Sequence, residues 1–362
     1  MIPRTPHPLD APHRHTALAF MVIAILSWGL AGCATPAAQR LPRQGTEIMV
    51  CGQLYDIGAP VVLWTDPGGY DAYRVERRFV PWDEAGWGAR HGQPPEPARY
   101  GLRHGKNAAE RYSSAELERV RGGGWDLESL RRSVDQFVLH YDAAGTSRTC
   151  FRVLHDLRGL SVHFMIDLDG TIYQTLDVKE RAWHATISND RSIGVEIAGI
   201  GAYPPGSESS PLKHWYAIDA SGRTRITIPD RLGDGGIRTP GFVGYPATSG
   251  PVTGTINGSR VEMWDFTPEQ YRSLVHLSAA LCSLFPAINP DYPRGPDGRV
   301  LDRALTAEQW GSFRGILGHW HVQENKIDPG PAMRWEYLIR EVRARMGRHG
   351  RERPGLIPSR FR

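Results

Sequence analysis

One short segment near the end of the chain, residues 318–331, concentrates side chains that bind metal ions and transfer protons. It contains His319, His321, Lys326 and Asp328, and it reads Gly-His-Trp-His-Val-Gln-Glu-Asn-Lys-Ile-Asp-Pro-Gly-Pro. His319 follows an apolar run typical of a strand end, and Asp328 precedes a turn whose prolines restrict the backbone. A catalytic zinc ion usually has three His or carboxylate ligands and leaves a fourth position to water. The segment supplies two such ligands, so a third must come from elsewhere in the chain.

His321 is an alternative to His319 as a ligand. If the segment starts as a strand, residues two apart point to the same face, and either imidazole could reach the same ion. The residues themselves therefore leave two choices for the histidine of this segment.

Two other predicted strands carry polar side chains that suit such a site. The run Gln-Phe-Val-Leu-His-Tyr at residues 136–141 predicts a buried strand with His140 near its end, well placed to face a cleft. Taken alone, a histidine in this position is more often a structural one held by hydrogen bonds. Glu196 interrupts the apolar strand 193–197. An unpaired buried carboxylate is costly, so Glu196 must meet a cation or face a wet cleft.

The elements that must position these side chains alternate between strands and helices. Two β-rich runs around Asp169-Gly170 predict a hairpin, and Thr267-Pro268-Glu269 predicts a helix start. Residues 201–262 are rich in Gly, Pro and Ser, and we interpret them as an insertion over one face, with one hairpin around Ser221-Gly222. Further helices are predicted over residues 147–157, 306–313 and 333–346, and a strand pair is predicted between residues 47–51 and 61–64.

Five motifs follow one another along the chain. They are His140 after a strand, the run from Ser161 to Gln174, Ala-Trp-His-Ala at 182–185, Asn189 with Ser-Ile-Gly-Val-Glu at 192–196, and Gly-His at 318–319 with Lys-Ile-Asp-Pro-Gly-Pro at 326–331. Together they resemble the type-2 N-acetylmuramoyl-L-alanine amidases, a superfamily that includes phage amidases, peptidoglycan recognition proteins and bacterial anhydromuropeptide amidases. The resemblance implies an α/β fold, with a central mixed β-sheet flanked by helices, an N-terminal extension and a long insertion.

The resemblance also implies a ligand set. His140, His319 and Asp328 would ligate one Zn²⁺ ion per chain, with Asp328 at the position where phage enzymes and recognition proteins carry Cys. His319 is preferred to His321 because Gly318-His319 matches the Gly-His pair of the family.

The same resemblance implies catalytic and substrate-binding roles. Glu196 matches the glutamate that takes a proton from the attacking water and passes it to the leaving amine. Lys326 matches the cation that stabilises the oxyanion beside the metal. Four residues of the intervening motifs are expected to line the substrate groove, namely His184, Trp183, Asn189 and His163.

These roles predict an enzyme that hydrolyses the amide bond between N-acetylmuramic acid and L-alanine in peptidoglycan or its fragments. Two alternatives are a non-catalytic peptidoglycan or muropeptide receptor on the same fold and a zinc peptidase that cuts the stem peptide. Non-catalytic recognition proteins typically lose a zinc ligand, whereas all three positions are filled here, which favours the hydrolase. The 43 basic and 39 acidic residues give a net charge of +4 without a Lys/Arg block, so nucleic acid is not an expected partner.

The N-terminus has the layout of a secretory signal. Arg4 and Arg14 precede the apolar run 17–26, which is shorter than the roughly 20 residues that span a bilayer. Leu-Ala-Gly-Cys at 30–33 resembles the lipobox of bacterial lipoproteins, in which the cysteine, here Cys33, is lipidated. We therefore expect a monomeric lipoprotein anchored in the outer membrane and facing the periplasm. The expected order is a signal peptide (1–32), an N-terminal extension (33–124), an amidase domain (125–346) and a basic tail (347–362).

The lipid anchor leads to a direct prediction. Cys33→Ala removes the lipid acceptor, so the variant should be soluble and active while the parent chain fractionates with membranes. Cys51→Ala is the control and should stay with the membrane fraction. If the Cys33 variant also stayed membrane-bound, the apolar run itself would be an uncleaved anchor.

Overall fold

The computed structural model describes residues 43–74, 112–121, 124–208 and 210–351. In chain order its strands are β1 (Glu47–Val50), β2 (Gln53–Asp56), β3 (Val61–Leu63), β4 (Gln136–Tyr141), β5 (Phe164–Ile166), β6 (Ile172–Gln174), β7 (Ser192–Ile197), β8 (Tyr216–Ile218), β9 (Thr224–Ile226), β10 (Val252–Ile256), β11 (Ser259–Met263) and β12 (Gly315–Gly318). Its α-helices are α1 (Ser114–Arg121), α2 (Leu127–Ser133), α3 (Ser147–Phe151), α4 (Leu212–Trp215), α5 (Pro268–Leu284), α6 (Ala307–Ser312) and α7 (Trp335–Arg351).

Six strands form the central sheet, in the order β12-β4-β7-β5-β6-β3. Neighbouring strands run parallel, except that β5 and β6 form the antiparallel hairpin predicted around Asp169-Gly170. The predicted mixed sheet is therefore confirmed. β4 and β7 are buried along nearly their whole length, which explains why both read as almost continuous apolar runs.

Helices cover both faces of this sheet. On one face α5 and α7 pack against each other and on the side chains of β4, β5 and β7. The start of α5 is the predicted one, because Thr267 and Gln270 cap the helix reciprocally. The Gln270 side chain also donates a hydrogen bond of 2.7 Å to the carbonyl of Ala198, which fixes the helix start to the end of β7. On the other face α3 packs on β5 and β6, and its helical turns continue over Arg152–Leu157 as predicted.

The N-terminal strands join the same fold, and their predicted pairing is wrong. β1 pairs with β2 through a tight turn at Cys51-Gly52, where φ is 52° and 74°. This turn closes the hairpin before the chain reaches β3, which instead adds parallel to β6 at the edge of the central sheet. Gln174 on β6 holds β1 through two hydrogen bonds of 2.7 Å, one to the amide and one to the carbonyl of Met49.

Residues 201–262, the predicted insertion, contain two hairpins. β8 pairs with β9 as predicted. β10 pairs with β11 in a second hairpin that lies outside the elements predicted from the sequence. Its turn is Asn257-Gly258, with φ of 48° and 76°, the left-handed conformations that a two-residue hairpin turn requires. Ile256, Val261 and Met263 of this hairpin belong to the main core.

The C-terminal boundary differs from the predicted one. Helix α7 continues to Arg351, so the first residues of the predicted tail are helical. Residues 352–362 lie outside the described residues, as do the predicted signal peptide and Cys33. Among the residues that the structure describes, Cys150 and Cys282 are buried and form no disulfide. No helix among the described residues has the length and apolarity needed to cross a membrane.

A buried ion pair supports the start of β4, at the sheet edge opposite the carboxyl ends of the strands. Asp135 receives two hydrogen bonds from Arg191, of 2.6 and 2.7 Å, and pairs with Arg314 at 2.7 Å. Asp135→Ala would leave the buried Arg191 guanidinium uncompensated, so the free energy of unfolding should fall by about 3 kcal/mol in urea titrations.

The control is Glu341→Ala on α7, which removes a surface ion pair with Arg340 at 3.0 Å. Exposed pairs contribute little, so its unfolding free energy should stay within about 0.5 kcal/mol of the parent value. Equal losses in the two variants would mean that the Asp135 pair is no more important than a surface one.

Candidate metal centre

The strand register brings the predicted site residues together. His140 on β4 pairs with Glu196 on β7, and Leu139 pairs with Gly318, the last residue of β12. Because all three strands run parallel, their carboxyl ends meet at one edge of the sheet, and His319 follows β12 beside His140. Asp328 returns to this edge through a loop that is closed by a hydrogen bond of 3.1 Å from the amide of Trp320 to the Asp328 carbonyl.

Three side chains converge on one point. Nδ1 of His140 lies 2.8 Å from Oδ2 of Asp328, and Nδ1 of His319 lies 3.0 Å from the same oxygen. The three ligand atoms are within 4.8 Å of one another. His140 is 2% exposed, His319 5% and Asp328 9%. Two imidazole nitrogens and a carboxylate oxygen in a buried cluster could hold a metal ion, and they form the donor set typical of catalytic zinc.

The electrostatics of the cluster keep its groups in the forms that bind metal. Burial and the neighbouring His319 lower the pKa of His140 to about 4, so its imidazole is neutral at physiological pH. Burial alone would raise the pKa of Asp328, but the two imidazoles outweigh it and hold that pKa below its usual range. A neutral imidazole and an ionised carboxylate are the states in which these side chains act as ligands.

The outer nitrogens of both imidazoles also have partners. Nε2 of His319 lies 2.7 Å from Oε1 of Gln323, and Nε2 of His140 lies 3.0 Å from Nδ1 of His184. His184 is itself held by Ser192, whose hydroxyl lies 3.1 Å from Nε2 of His184. Partners of this kind fix the tautomer and the ring orientation of metal ligands. No pattern in the sequence singled out Gln323, since its role depends on the turn that places it under His319.

Space for His184 is provided by a glycine. A Cβ on Gly194 of β7 would lie 2.5 Å from Nδ1 of His184, so no side chain fits there while the imidazole keeps its place. His184 therefore supports the outer nitrogen of His140, and its predicted contact with substrate stays a prediction.

His321 is not part of the cluster. Residues His319–His321 form a single helical turn rather than a strand, so the prediction that residues 319 and 321 share a strand face is wrong. Nδ1 of His321 accepts a hydrogen bond of 2.9 Å from the amide of Gly318, and Nε2 lies 2.8 Å from the Leu301 carbonyl. Both ring nitrogens are thus used by the backbone.

The remaining predicted groove residues serve local structure to different degrees. His163 is fully buried, and its nitrogens contact the amide of Gly194 at 3.1 Å and the carbonyl of Glu180 at 2.9 Å, while its contact with substrate stays a prediction. The side-chain oxygen of Asn189 accepts hydrogen bonds from the amides of residues 184 and 185, and it shapes the loop that carries His184. Trp183 is half-buried on the same loop.

Glu196 and Lys326 lie beside the cluster. Glu196 is buried, and among the described residues its Oε2 has no hydrogen-bond partner. Burial, together with Asp328 and Asp142, raises the pKa of Glu196 well above its usual value, while the Lys326 ammonium acts in the opposite direction. Oε2 of Glu196 therefore keeps the capacity to accept a hydrogen bond next to the candidate metal centre.

Comparison with known families agrees with this geometry. Residues 130–331, more than half of the chain, match the family model for N-acetylmuramoyl-L-alanine amidase. The chain belongs to this family. The matched range contains the whole amidase centre, from His140 to Asp328, and the resemblance inferred from the five motifs is confirmed.

Several solved structures are similar to the chain. The amidase AmiD from E. coli, in complex with the substrate anhydro-N-acetylmuramic acid-L-Ala-D-γ-Glu-L-Lys, has 17% identity and a TM-score of 0.32 over 57% of this chain and 57% of its own. A selenomethionine derivative of AmpD has 19% identity and a TM-score of 0.29 over 59% of this chain and 86% of its own. The amidase LysC from Clostridium intestinale has 15% identity and a TM-score of 0.31 over 59% and 88%. The aligned part thus spans little more than half of AmiD, and no curated protein matches the chain.

The contact between Gln323 and His319 predicts a measurable effect on metal binding. Gln323→Ala removes the acceptor for Nε2 of His319, so zinc affinity should fall by about 10-fold, measured by competition with a chromophoric chelator. Asn325→Ala is the matched control, because it removes an exposed amide from the same loop and should leave affinity unchanged. Equal affinities in all three chains would exclude a supporting role for Gln323.

Proposed function

We propose that this chain is a zinc-dependent N-acetylmuramoyl-L-alanine amidase, which hydrolyses the amide bond between N-acetylmuramic acid and L-alanine in peptidoglycan or its fragments. The observation that carries the proposal is the buried group of His140, His319 and Asp328, three ligand atoms within 4.8 Å in a chain of the amidase family. The intact ligand set favours an enzyme over a receptor on the same fold.

The donor set fits the proposed metal. Zinc held by His140, His319 and Asp328 would supply Lewis acidity that polarises the scissile carbonyl and acidifies a water molecule. His184 and Gln323 would keep both imidazoles oriented, since each contacts an outer ring nitrogen. The cluster is nearly closed to solvent, which strengthens every electrostatic interaction within it.

Glu196 and Lys326 would carry out the proton transfer and the charge stabilisation. The unpartnered Oε2 of Glu196 can take the proton of the attacking water and then return it to the leaving amine. The Lys326 ammonium acts electrostatically on both His140 and Glu196, which supports its role in stabilising negative charge on the substrate oxygen. The two residues divide the acid-base work and the oxyanion stabilisation between them.

The cellular setting of the proposal rests on the sequence. The lipobox ending at Cys33 supports an outer-membrane lipoprotein whose amidase domain faces the periplasm, where peptidoglycan is the available substrate. We propose that it acts there as a monomer.

Digestion of purified sacculi, and separately of soluble anhydromuropeptides, tests this function. Mass spectrometry should show free stem peptides that begin with L-alanine, and a chelator should abolish their release. Cleavage within the stem peptide would support a zinc peptidase instead, and binding without cleavage would support a receptor. His140→Ala, His319→Ala and Asp328→Ala should lose metal and activity, whereas His321→Ala should lose stability but keep its metal.

The role of Glu196 can be separated from a structural one. Glu196→Gln is nearly isosteric but cannot accept the proton, so zinc content and melting temperature should hold while kcat falls by roughly 10²–10⁴-fold. The control is Asp167→Asn, a buried carboxyl on the neighbouring strand end whose Oδ2 is also unpartnered among the described residues. It should alter stability without a comparable loss of kcat. A Glu196 variant with a near-normal rate would remove this residue from the mechanism.

A further inference from the structure

The tip of the β10–β11 hairpin touches the loop that carries the metal-binding residues. We call residues 319–328 the metal-binding loop. The tip residue, Asn257, is half-buried, although the turn that connects the two strands of a hairpin is ordinarily exposed. Its neighbour Gly258 has no atom within 4 Å of the position that a Cβ would occupy, so only Asn257 of the turn is packed.

The side chain of Asn257 is fully engaged with this loop. Its Nδ2 donates to the backbone carbonyls of Trp320, Gln323 and Lys326, at 3.2, 3.2 and 2.8 Å. Two hydrogens are shared among three acceptors, so the amide lies at the centre of the loop and links its beginning, middle and end. Trp320 directly follows the proposed ligand His319, Gln323 contacts the ring of His319, and Lys326 is the proposed oxyanion-stabilising cation.

The opposite side of Asn257 is held by a different segment. Its Oδ1 accepts a hydrogen bond of 2.8 Å from the amide of Ala304, and its own amide donates one of 2.8 Å to the carbonyl of Asp302. Because the backbone amide of Ala304 can only donate, it is Oδ1 that faces Ala304 and Nδ2 that faces the loop. The residue thus bridges two segments that are 47 and 63 residues away from it along the chain.

The body of the hairpin contacts the chain just after Asp328. A Cβ on Gly254 would lie 2.7 Å from Cβ of Pro331, and a Cβ on Gly330 would lie 2.2 Å from Sδ of Met263. The hairpin backbone and the Pro-Gly-Pro turn are therefore in close contact. Together with the bonds of Asn257, these contacts connect the hairpin to the chain both before and after Asp328.

We propose that the β10–β11 hairpin braces the metal-binding loop, with Asn257 as a positioning residue for the amidase reaction. The proposal deepens the proposed function, since it assigns a role at the same centre to the insertion. Among the described residues, the Asn257 side chain has backbone atoms as its hydrogen-bond partners, and not the ligand atoms of the candidate centre. It acts through the backbone of the loop, and so it sets where Asp328 and Lys326 stand relative to the two imidazoles.

Three variants of the full chain separate the side chain from the turn. Asn257→Gly removes the amide and tolerates the φ of 48°. Asn257→Asp keeps the acceptor for Ala304 but turns a carboxylate towards three carbonyl oxygens. Gly258→Ala strains the same turn and leaves the Asn257 amide in place, so it reports the effect of a weaker hairpin alone.

Four readouts follow from the positioning role. Hydrogen exchange of residues 319–328 in the metal-free chain should be faster in both Asn257 variants than in the parent. Their Zn²⁺ affinity should fall by about 10-fold, and the visible spectrum of the Co²⁺ form should change with the ligand geometry. On the muropeptide substrate, kcat should fall by about 10-fold while KM stays within about twofold. Gly258→Ala should lower the melting temperature and leave loop exchange, affinity and spectrum at parent values.

The outcomes are distinct. Parent-like loop exchange and Zn²⁺ affinity in Asn257→Gly would overturn the brace, as would equal effects of Asn257→Gly and Gly258→Ala. A parent chain that binds no Zn²⁺ or Co²⁺ would contradict the proposed function. The loop exchange of the variants would still decide whether Asn257 holds the loop.

Discussion

A single carboxylate oxygen, Oδ2 of Asp328, meets two buried imidazoles, and much of the fold can be understood as the means of bringing them together. Burying the charge of Asp328 without partners would cost a large desolvation free energy, so the carboxylate depends on the two imidazoles. The imidazoles can contact it only in a fixed orientation. The parallel register of β12, β4 and β7 supplies that orientation, because it sets His140 and His319 side by side at one sheet edge. A slip by one residue would turn His140 to the opposite face.

Around this centre the supporting contacts are arranged in layers. Gln323 and His184 hold the outer nitrogens, Gly194 leaves room for His184, and the backbone of the metal-binding loop is held in turn by Asn257. Each layer comes from a different part of the chain. The insertion therefore contributes to the centre, although none of its residues belongs to the motifs shared with the amidases.

The sequence allowed good predictions wherever function or burial leaves a local pattern. The apolar runs of β4 and β7, the Asp-Gly hairpin and the Thr267 cap all follow from neighbours a few residues apart, whereas the full ligand set was implied by the family resemblance. Features that depend on distant partners were harder to predict. The pairing of β3 with β6 cannot be read from either strand alone, and His163 and His184 have the same residue type at sites of different burial. Asn257-Gly258 is different, because an Asn-Gly between alternating residues is a strong local hairpin signal that the Gly-rich surroundings obscured.

The separation of the ligands along the chain has a consequence for when the centre can form. His140 and Asp328 are 188 residues apart, and β12 and the metal-binding loop come after nearly all of the sheet. Closing such a long loop is entropically costly, so the imidazole and carboxylate can meet only after the intervening strands have paired. A chain interrupted before Asp328 therefore lacks the third ligand, and the candidate metal centre forms only once nearly all of the sheet is in place.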